Sequence, residues 1–283
     1  METILCPTDF SPASQNVLHY AAQLSRQVSA RLVLFHNIYE PADTVFVTTG
    51  GASYAEPIRD FDYRQALQQK LNNLKAKLER ENGDIGTDYE IRLAYGLSKE
   101  TIPQVAEEIH ADMIIMGKEQ VKGLEKILID SVTEAVIKQA SCPVLIIPHK
   151  THFKPPQKVV FATDLQGEPF TDVSYVLQLT AQFEAEILFL HILPNDLPPT
   201  HDRAQANLEQ LQKRLSYDKV SFHTEVNPDI AVGISRFTRR HKGDMLVMAY
   251  HPQSFWQQLF SREHTQEMTY HSRLPLLVLH YRN

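Results

Sequence analysis

The chain repeats itself. Thr3-Ile4-Leu5-Cys6-Pro7-Thr8-Asp9 opens the first half and Lys158-Val159-Val160-Phe161-Ala162-Thr163-Asp164 opens the second, each an apolar run halted by Thr-Asp. Asp112-Met113-Ile114-Ile115-Met116-Gly117 is matched by Asp244-Met245-Leu246-Val247-Met248-Ala249. Cys142-Pro143-Val144-Leu145-Ile146-Ile147-Pro148 is matched by Leu274-Pro275-Leu276-Leu277-Val278-Leu279-His280. Repeats of this size mark a duplicated domain rather than a solenoid of short units. Positions 155 apart correspond through the first two strands, setting Asp9 against Asp164 and His36 against His191. Positions 132 apart correspond from the third strand onward, setting Met116 against Met248, so the second copy lacks about 23 residues between its second and third strands.

Within the first copy, residues 3–7 read as a buried strand and Ser11-Pro12 as the start of a helix, Ser at the N-cap and Pro at the first helical position. Arg31 to His36 is a second strand, and residues 40–60 form a poorly patterned stretch. Leu67, Leu71, Leu74 and Leu78 give residues 61–82 the spacing of an amphipathic helix. Tyr89 to Ala94 reads as a strand, 98–110 as a helix, 113–116 as a strand, Ser131 to Gln139 as a helix and Val144 to Ile147 as the fifth strand. Strands alternating with helices predict an α/β fold with a parallel sheet covered on both faces. The second half follows the same order, so the prediction is two tandem open five-stranded parallel sheets.

At 283 residues the chain has room for two such domains, 1–150 and 155–283, joined by the short linker 149–157 and packed on one another as an intramolecular pseudo-dimer. The formal charge of −6 comes with no basic stripe, which argues against general affinity for DNA or RNA. No apolar run approaches the ~18 residues of a membrane span, and the first residues show no secretion signal. Two cysteines, Cys6 and Cys142, cannot build a disulfide framework. The expectation is a cytoplasmic protein with Cys6 in the core and Cys142 nearer the surface.

Pro7-Thr8-Asp9-Phe10-Ser11, the strand ending in His36, Ile114-Ile115-Met116-Gly117 and Ile129-Asp130-Ser131-Val132-Thr133-Glu134-Ala135-Val136 together resemble the universal stress protein family. The resemblance covers the chain as two tandem copies, strong in the first and fainter in the second. It implies an adenine nucleotide α-hydrolase-like, Rossmann-like fold that dimerises through its last strand, in a family where some members bind ATP. It places Pro7, Thr8, Asp9, Asn37, Met116, Gly117, Ser131 and Val132 at nucleotide-contact positions, with Asp9 at the ribose or adenine edge and Asn37 near adenine.

ATP-binding members carry Gly, two residues, Gly, nine residues, then Gly with Ser or Thr. Glycines let backbone N–H groups approach phosphates, and the helix N-terminus that follows adds a favourable dipole. Here those positions hold Gly117, Gln120, Asp130 and Ser131 in the first copy. A carboxylate at Asp130 would face a triphosphate and repel it. In the second copy they hold Ala249, Pro252, Arg262 and Glu263, and Pro252 has no amide N–H to donate. The resemblance therefore implies a degenerate site in the first copy, where ATP is the one cofactor candidate, and a lost site in the second.

Two readings stand for Asp9: a nucleotide contact, or a strand-end carboxylate holding the next helix. His36 and His191 read as packed histidines bonded to backbone, or as ligand contacts at the carboxyl edge of a sheet. His149 and His152, with His280, are a weak metal pattern. Phe255, Trp256 and Phe260 fall where the first copy has its phosphate loop and could plug that crevice. No nucleophile–base pair and no Walker-type loop is present in the sequence. The functional expectation is a stress-response protein acting through a ligand or partner rather than catalysis. The alternative is an ATP-binding regulator with weak ATPase or autophosphorylation, and a homodimer is expected as one assembly.

Overall fold

The computed structural model describes residues 1–39, 44–49, 52–57, 61–82, 88–117, 131–163, 170–250 and 274–280. In the first half the elements run β1 (Thr3–Pro7), α1 (Pro12–Gln27), β2 (Arg31–Ile38), β3 (Thr44–Thr49), β4 (Ala52–Pro57), α2 (Phe61–Asn82), β5 (Tyr89–Tyr95), α3 (Ser98–Glu108), β6 (Met113–Gly117), α4 (Ser131–Gln139) and β7 (Val144–Ile147). The second half continues with β8 (Lys158–Ala162), α5 (Phe170–Ala181), β9 (Glu186–Leu193), α6 (Pro198–Arg214), β10 (Val220–Val226), α7 (Ile230–His241), β11 (Met245–Tyr250) and β12 (Leu276–His280).

Each half holds five parallel strands, as the alternation of elements predicts, but the two sheets are not separate. They join into one ten-stranded sheet of order β10-β9-β8-β11-β12-β7-β6-β1-β2-β5. The join is the only antiparallel pairing of that sheet, with Leu276 opposite Ile146, Leu277 opposite Leu145 and Val278 opposite Val144. Near-continuous apolar strands such as β1 and β7 exist because both faces are covered. On one face, Leu18 of α1, Leu71 of α2, Val176 of α5 and Leu211 of α6 share a cluster that spans both halves. On the other, Ile102 of α3, Val136 of α4 and Ile234 of α7 do the same.

Local rules explain the boundaries. Ser11 is the N-cap of α1, its side chain accepting from the Ser14 N–H at 3.1 Å, with Pro12 inside the first turn. Asp229 caps α7 in the same way, accepting from the Val232 N–H at 3.0 Å. Leu67, Leu71 and Leu78 are the buried line of α2. The stretch without clear pattern, residues 40–60, contains the antiparallel ribbon β3–β4, which has no counterpart among the described residues of the second half. The expected spacing of 132 at the third strand is corrected by one residue. Ile187 stands 155 positions after Leu32, yet their partners Tyr89 and Val220 are 131 apart. The extra residue lies between β10 and α7, since Met113 and Met245 at the starts of β6 and β11 are again 132 apart.

Matched contacts recur in the two halves. Asp112 accepts from the N–H groups of Glu2 and Thr3 at 2.6 and 3.0 Å, and Asp244 accepts from those of Gln157 and Lys158 at 2.9 and 3.2 Å. Each carboxylate pins the entry of its own first strand. Across the seam, the Tyr175 hydroxyl of the second half donates to the Asp112 carbonyl at 3.2 Å. Its counterpart Tyr20 is buried, and its hydroxyl is pushed up first by burial and then by the charge of Asp244. Phe153 of the linker lies edge-on to Tyr20, with centroids 5.2 Å apart, and 6.4 Å from Phe183. The seam is also crossed at the end of β12, where His280 donates from Nε2 to the Ile137 carbonyl in the last turn of α4.

Burial pushes the His280 imidazole below its ordinary value of 6.5, and the backbone groups of Ile137 and Cys142 only partly offset this. A depressed histidine contributes stability that is complete above the unfolded value and is lost as pH falls below it. His223 and His241 are lowered too, each first by burial and then by a cationic neighbour. We expect urea-measured stability to decline from about pH 7 to about pH 5, and His280→Gln to remove up to about one proton from that slope. An unchanged slope in the variant would show that His280 titrates as it does in the unfolded chain.

Candidate functional site

In each half the strand order reverses at the first strand, whose neighbours on its two sides come from different parts of the chain. In the first half β1 is flanked by β2 and β6, and in the second β8 is flanked by β9 and β11. A crevice forms outside the carboxyl ends of the strands at such a switch point, because the two neighbouring connections leave on opposite faces. Pro7 ends β1, Asn37 lies near the end of β2, and Met116 and Gly117 end β6. Thr8 and Asp9 follow β1 directly, and Ser131 and Val132 open α4. All eight residues expected from the sequence therefore sit at strand carboxyl ends or at the helix start beside them. Gln120 and Asp130 lie outside the described residues, as do Asp164, Pro252, Phe255, Trp256, Phe260, Arg262 and Glu263.

The β1 end is tightly wired. The Thr8 N–H donates to the Phe35 carbonyl at 2.8 Å, and the Thr8 carbonyl accepts from His36 Nδ1 at 2.6 Å. The Thr8 hydroxyl accepts from the Phe10 N–H at 3.1 Å and lies 3.0 Å from the Ser14 hydroxyl. Buried, with its N–H, carbonyl and hydroxyl all engaged, Thr8 organises the turn. Phe10 takes φ 63 to make that turn, and its ring packs 4.5 Å from the His36 ring. Asp9 is exposed, and its Oδ1 accepts from the Ser11 N–H at 2.9 Å. Partial desolvation raises its carboxyl, but hydrogen bonds from Ser11 and Ser14 outweigh that and leave it below the usual range. Asp9 Oδ1 thus anchors the turn into α1.

The matched histidines share one role. His191 Nδ1 donates to the Thr163 carbonyl at 2.8 Å, while the Thr163 N–H donates to the Leu190 carbonyl at 2.9 Å. A carbonyl can only accept, so each Nδ1 carries the proton and the tautomer is fixed. The packed, backbone-bonded reading holds for both. Gly117 also has a packing reason: a Cβ there would lie 2.8 Å from Cγ2 of Val17 on α1. Met116 is buried, and Ser131 is exposed at the amino end of α4.

Asn37 stands apart. Its Nδ2 donates to the Gly96 carbonyl at 2.6 Å, which turns Oδ1 the other way, and that oxygen is buried with no hydrogen-bond partner among the described residues. Buried acceptors are nearly always satisfied. Gly96 also donates its N–H to the Ile38 carbonyl at 3.1 Å and takes φ +134, a conformation that side chains resist. Sequence reading missed Gly96 and the Thr8–Ser14 hydroxyl pair; the glycine after β5 was the available signal for the first. Cys6 is buried and its thiol pushed up by burial, and Cys142 is buried as well rather than near the surface. Among the described residues, no three His, Cys, Asp or Glu side chains gather as a metal site.

The model of the universal stress protein family matches residues 1–148. The chain belongs to the universal stress protein family. A universal stress protein of Methanocaldococcus jannaschii is 29% identical over 153 residues, which is 52% of this chain and 94% of that protein. A putative universal stress protein of Staphylococcus aureus is 38% identical over 147 residues, 52% of this chain and 83% of that protein. Likeness of fold to solved structures runs over nearly the whole chain. A universal stress protein from Archaeoglobus fulgidus superposes with TM-score 0.69 at 17% identity, over 99% of this chain and 97% of that one. A putative universal stress protein from Pseudomonas aeruginosa gives 0.63 at 17%, over 99% and 93%. At such identities the likeness is one of fold, and it extends over both halves.

The loop carrying Gly96 generates a direct test. A Cβ at this position would lie 2.8 Å from Thr101 Oγ1, itself donating to the Leu97 carbonyl at 2.9 Å. Gly96→Ala should destabilise the protein by about 1–3 kcal/mol in urea denaturation. A loss near zero would mean that the turn relaxes without strain.

Proposed function

We propose that this universal stress protein acts in the stress response by binding a ligand or partner rather than by turnover. In this reading residues 1–150 and 155–283 are two domains packed as an intramolecular pseudo-dimer, supported by the β7–β12 pairing. The carrying observation is which features the two copies keep. Both keep the His–Thr carbonyl bond at the strand end, the Asp clasp at the strand entry and the tyrosine over the seam. All of these hold the fold. What has drifted is the glycine pattern that would cradle phosphates, eroded at Gln120 and Asp130 and absent at Pro252 and Arg262. Two buried thiols without a disulfide accord with a reducing, cytoplasmic setting.

A second reading keeps ATP in the first half as a regulator's ligand. Its support is the unpartnered Oδ1 of Asn37, an acceptor of the kind an adenine amino group would satisfy. Pro7, Asp9, Asn37, Met116, Gly117, Ser131 and Val132 would then hold the nucleotide, with Thr8 shaping the turn beneath it. On the phosphate side the sequence supplies a carboxylate at Asp130, where the family pattern has glycine.

Equilibrium dialysis with Mg-ATP separates the readings. We expect weak binding by the native chain and at least about tenfold tighter binding by Asp130→Gly, the change in one charge contact near a partly dehydrated site. Stoichiometric ATP retained through purification of the native chain would replace the first reading by the second. No gain in the variant would remove Asp130 as the block.

A further inference from the structure

Among the described residues, the exposed large apolar side chains occupy one kind of place: the carboxyl corner of an outer strand pair. In the first half these are Tyr39, Phe61, Tyr63, Tyr95 and Leu97, exposed by 63%, 75%, 51%, 44% and 42%. They adjoin one another through the backbone. Ile38 is in register with Tyr95 and accepts from the Gly96 N–H, which brings Tyr39 beside Tyr95 and Leu97. The Arg64 guanidinium lies 5.7 Å over the Tyr95 ring, which brings the first turn of α2, and so Phe61 and Tyr63, to the same corner. The ribbon β3–β4 springs from between Tyr39 and Phe61. A lone two-stranded ribbon is marginally stable in water and gains from a surface to rest on.

We propose that this corner is the surface through which two copies of the chain pair, first half against first half about a twofold axis. The last-strand edges, which the family resemblance makes the dimer contact, are already consumed within the chain by the β7–β12 pairing. A second copy has to use another face. With roughly 150–250 Å² for each aromatic ring, the five exposed side chains present on the order of 500 Å² of mostly apolar surface. That is the core of a standard interface, which takes about 800 Å² from each partner, and it sits at the upper end of what a monomer leaves uncovered.

The rim fits a self-pairing. Asp62 and Arg64 share the first turn of α2, and Lys99 and Glu100 share the first turn of α3, their charged groups 3.9 Å apart. A rim carrying both signs can meet its own image, whereas a rim of one sign would repel it. The matching corner of the second half offers only Leu197 and Val226, exposed by 56% and 44%. Unequal corners favour the closed, isologous pair over an open chain of first half to second half. Pairing here is independent of what the cleft binds, so a failed nucleotide test leaves it standing.

The test is sedimentation equilibrium of the full chain from about 1 µM to about 100 µM, a span covering ordinary reversible dimers. The expected result is a species of twice the 32.4 kDa chain mass. Phe61→Asp and Tyr63→Asp should each weaken it by more than about tenfold, with circular dichroism unchanged, while Leu197→Asp and Val226→Asp leave it intact. Should an Asp variant unfold, Tyr63→Cys decides. With Cys6 and Cys142 buried, the new thiol is the reactive one, and a short bis-maleimide should link two chains through it. A monomer at every concentration, a larger open assembly, a dimer dissociated by the second-half variants alone, or no cross-link would each overturn the proposal.

Discussion

Three pairs of residues on two strands decide the architecture. Leu276 against Ile146, Leu277 against Leu145 and Val278 against Val144 turn two five-stranded sheets into one. Without that pairing, β7 and β12 would each present an unpaired apolar edge, and such edges invite indiscriminate association. With it, the clusters on both faces run without a break from one half to the other. Leu145 and Leu277 are then wholly buried, and each such side chain contributes about 1.5–3 kcal/mol over its exposed state. Tyr20, Tyr175 and Phe153 close one face of the same seam.

Much of this fold was legible in the residues because local and long-range signals agree. The strand β7 and the helices α2 and α4 fall where apolar spacing puts them, and the Ser11–Pro12 start of α1 follows from capping chemistry alone. What was not legible depends on partners distant in sequence. The pairing of Val144–Ile147 with Leu276–Leu279 was suggested by the family resemblance, which makes the last strands the contact, and not by anything local to either strand. The one-residue shift at β10 shows itself only once Leu32–Tyr89 and Ile187–Val220 are compared as pairs. The ribbon β3–β4 was hidden by a segment whose period matches neither template clearly.

The site was legible in position and less so in role. Strand carboxyl ends collect Pro7, Asn37 and Gly117 because the topology leaves them there, and the repeat made that predictable. Roles depend on where each hydrogen bond goes. Thr8 receives the Phe10 amide, Asp9 receives the Ser11 amide and His36 donates to the Thr8 carbonyl, while among the described residues nothing meets Oδ1 of Asn37. Side-chain pairings of this kind are set by geometry at the scale of an ångström, which spacing along a chain does not encode.

His280 carries a consequence of its own. Its matched position in the first half is Pro148, which has neither imidazole nor amide hydrogen, so the bond to the Ile137 carbonyl exists on one side of the seam alone. Identical subunits cannot do this: every change in one is mirrored in the other and must suit both. Covalent fusion lifts that obligation. Each flank of the junction is then free to diverge under its own selection, and a lock can be fitted on one flank while the other is left plain.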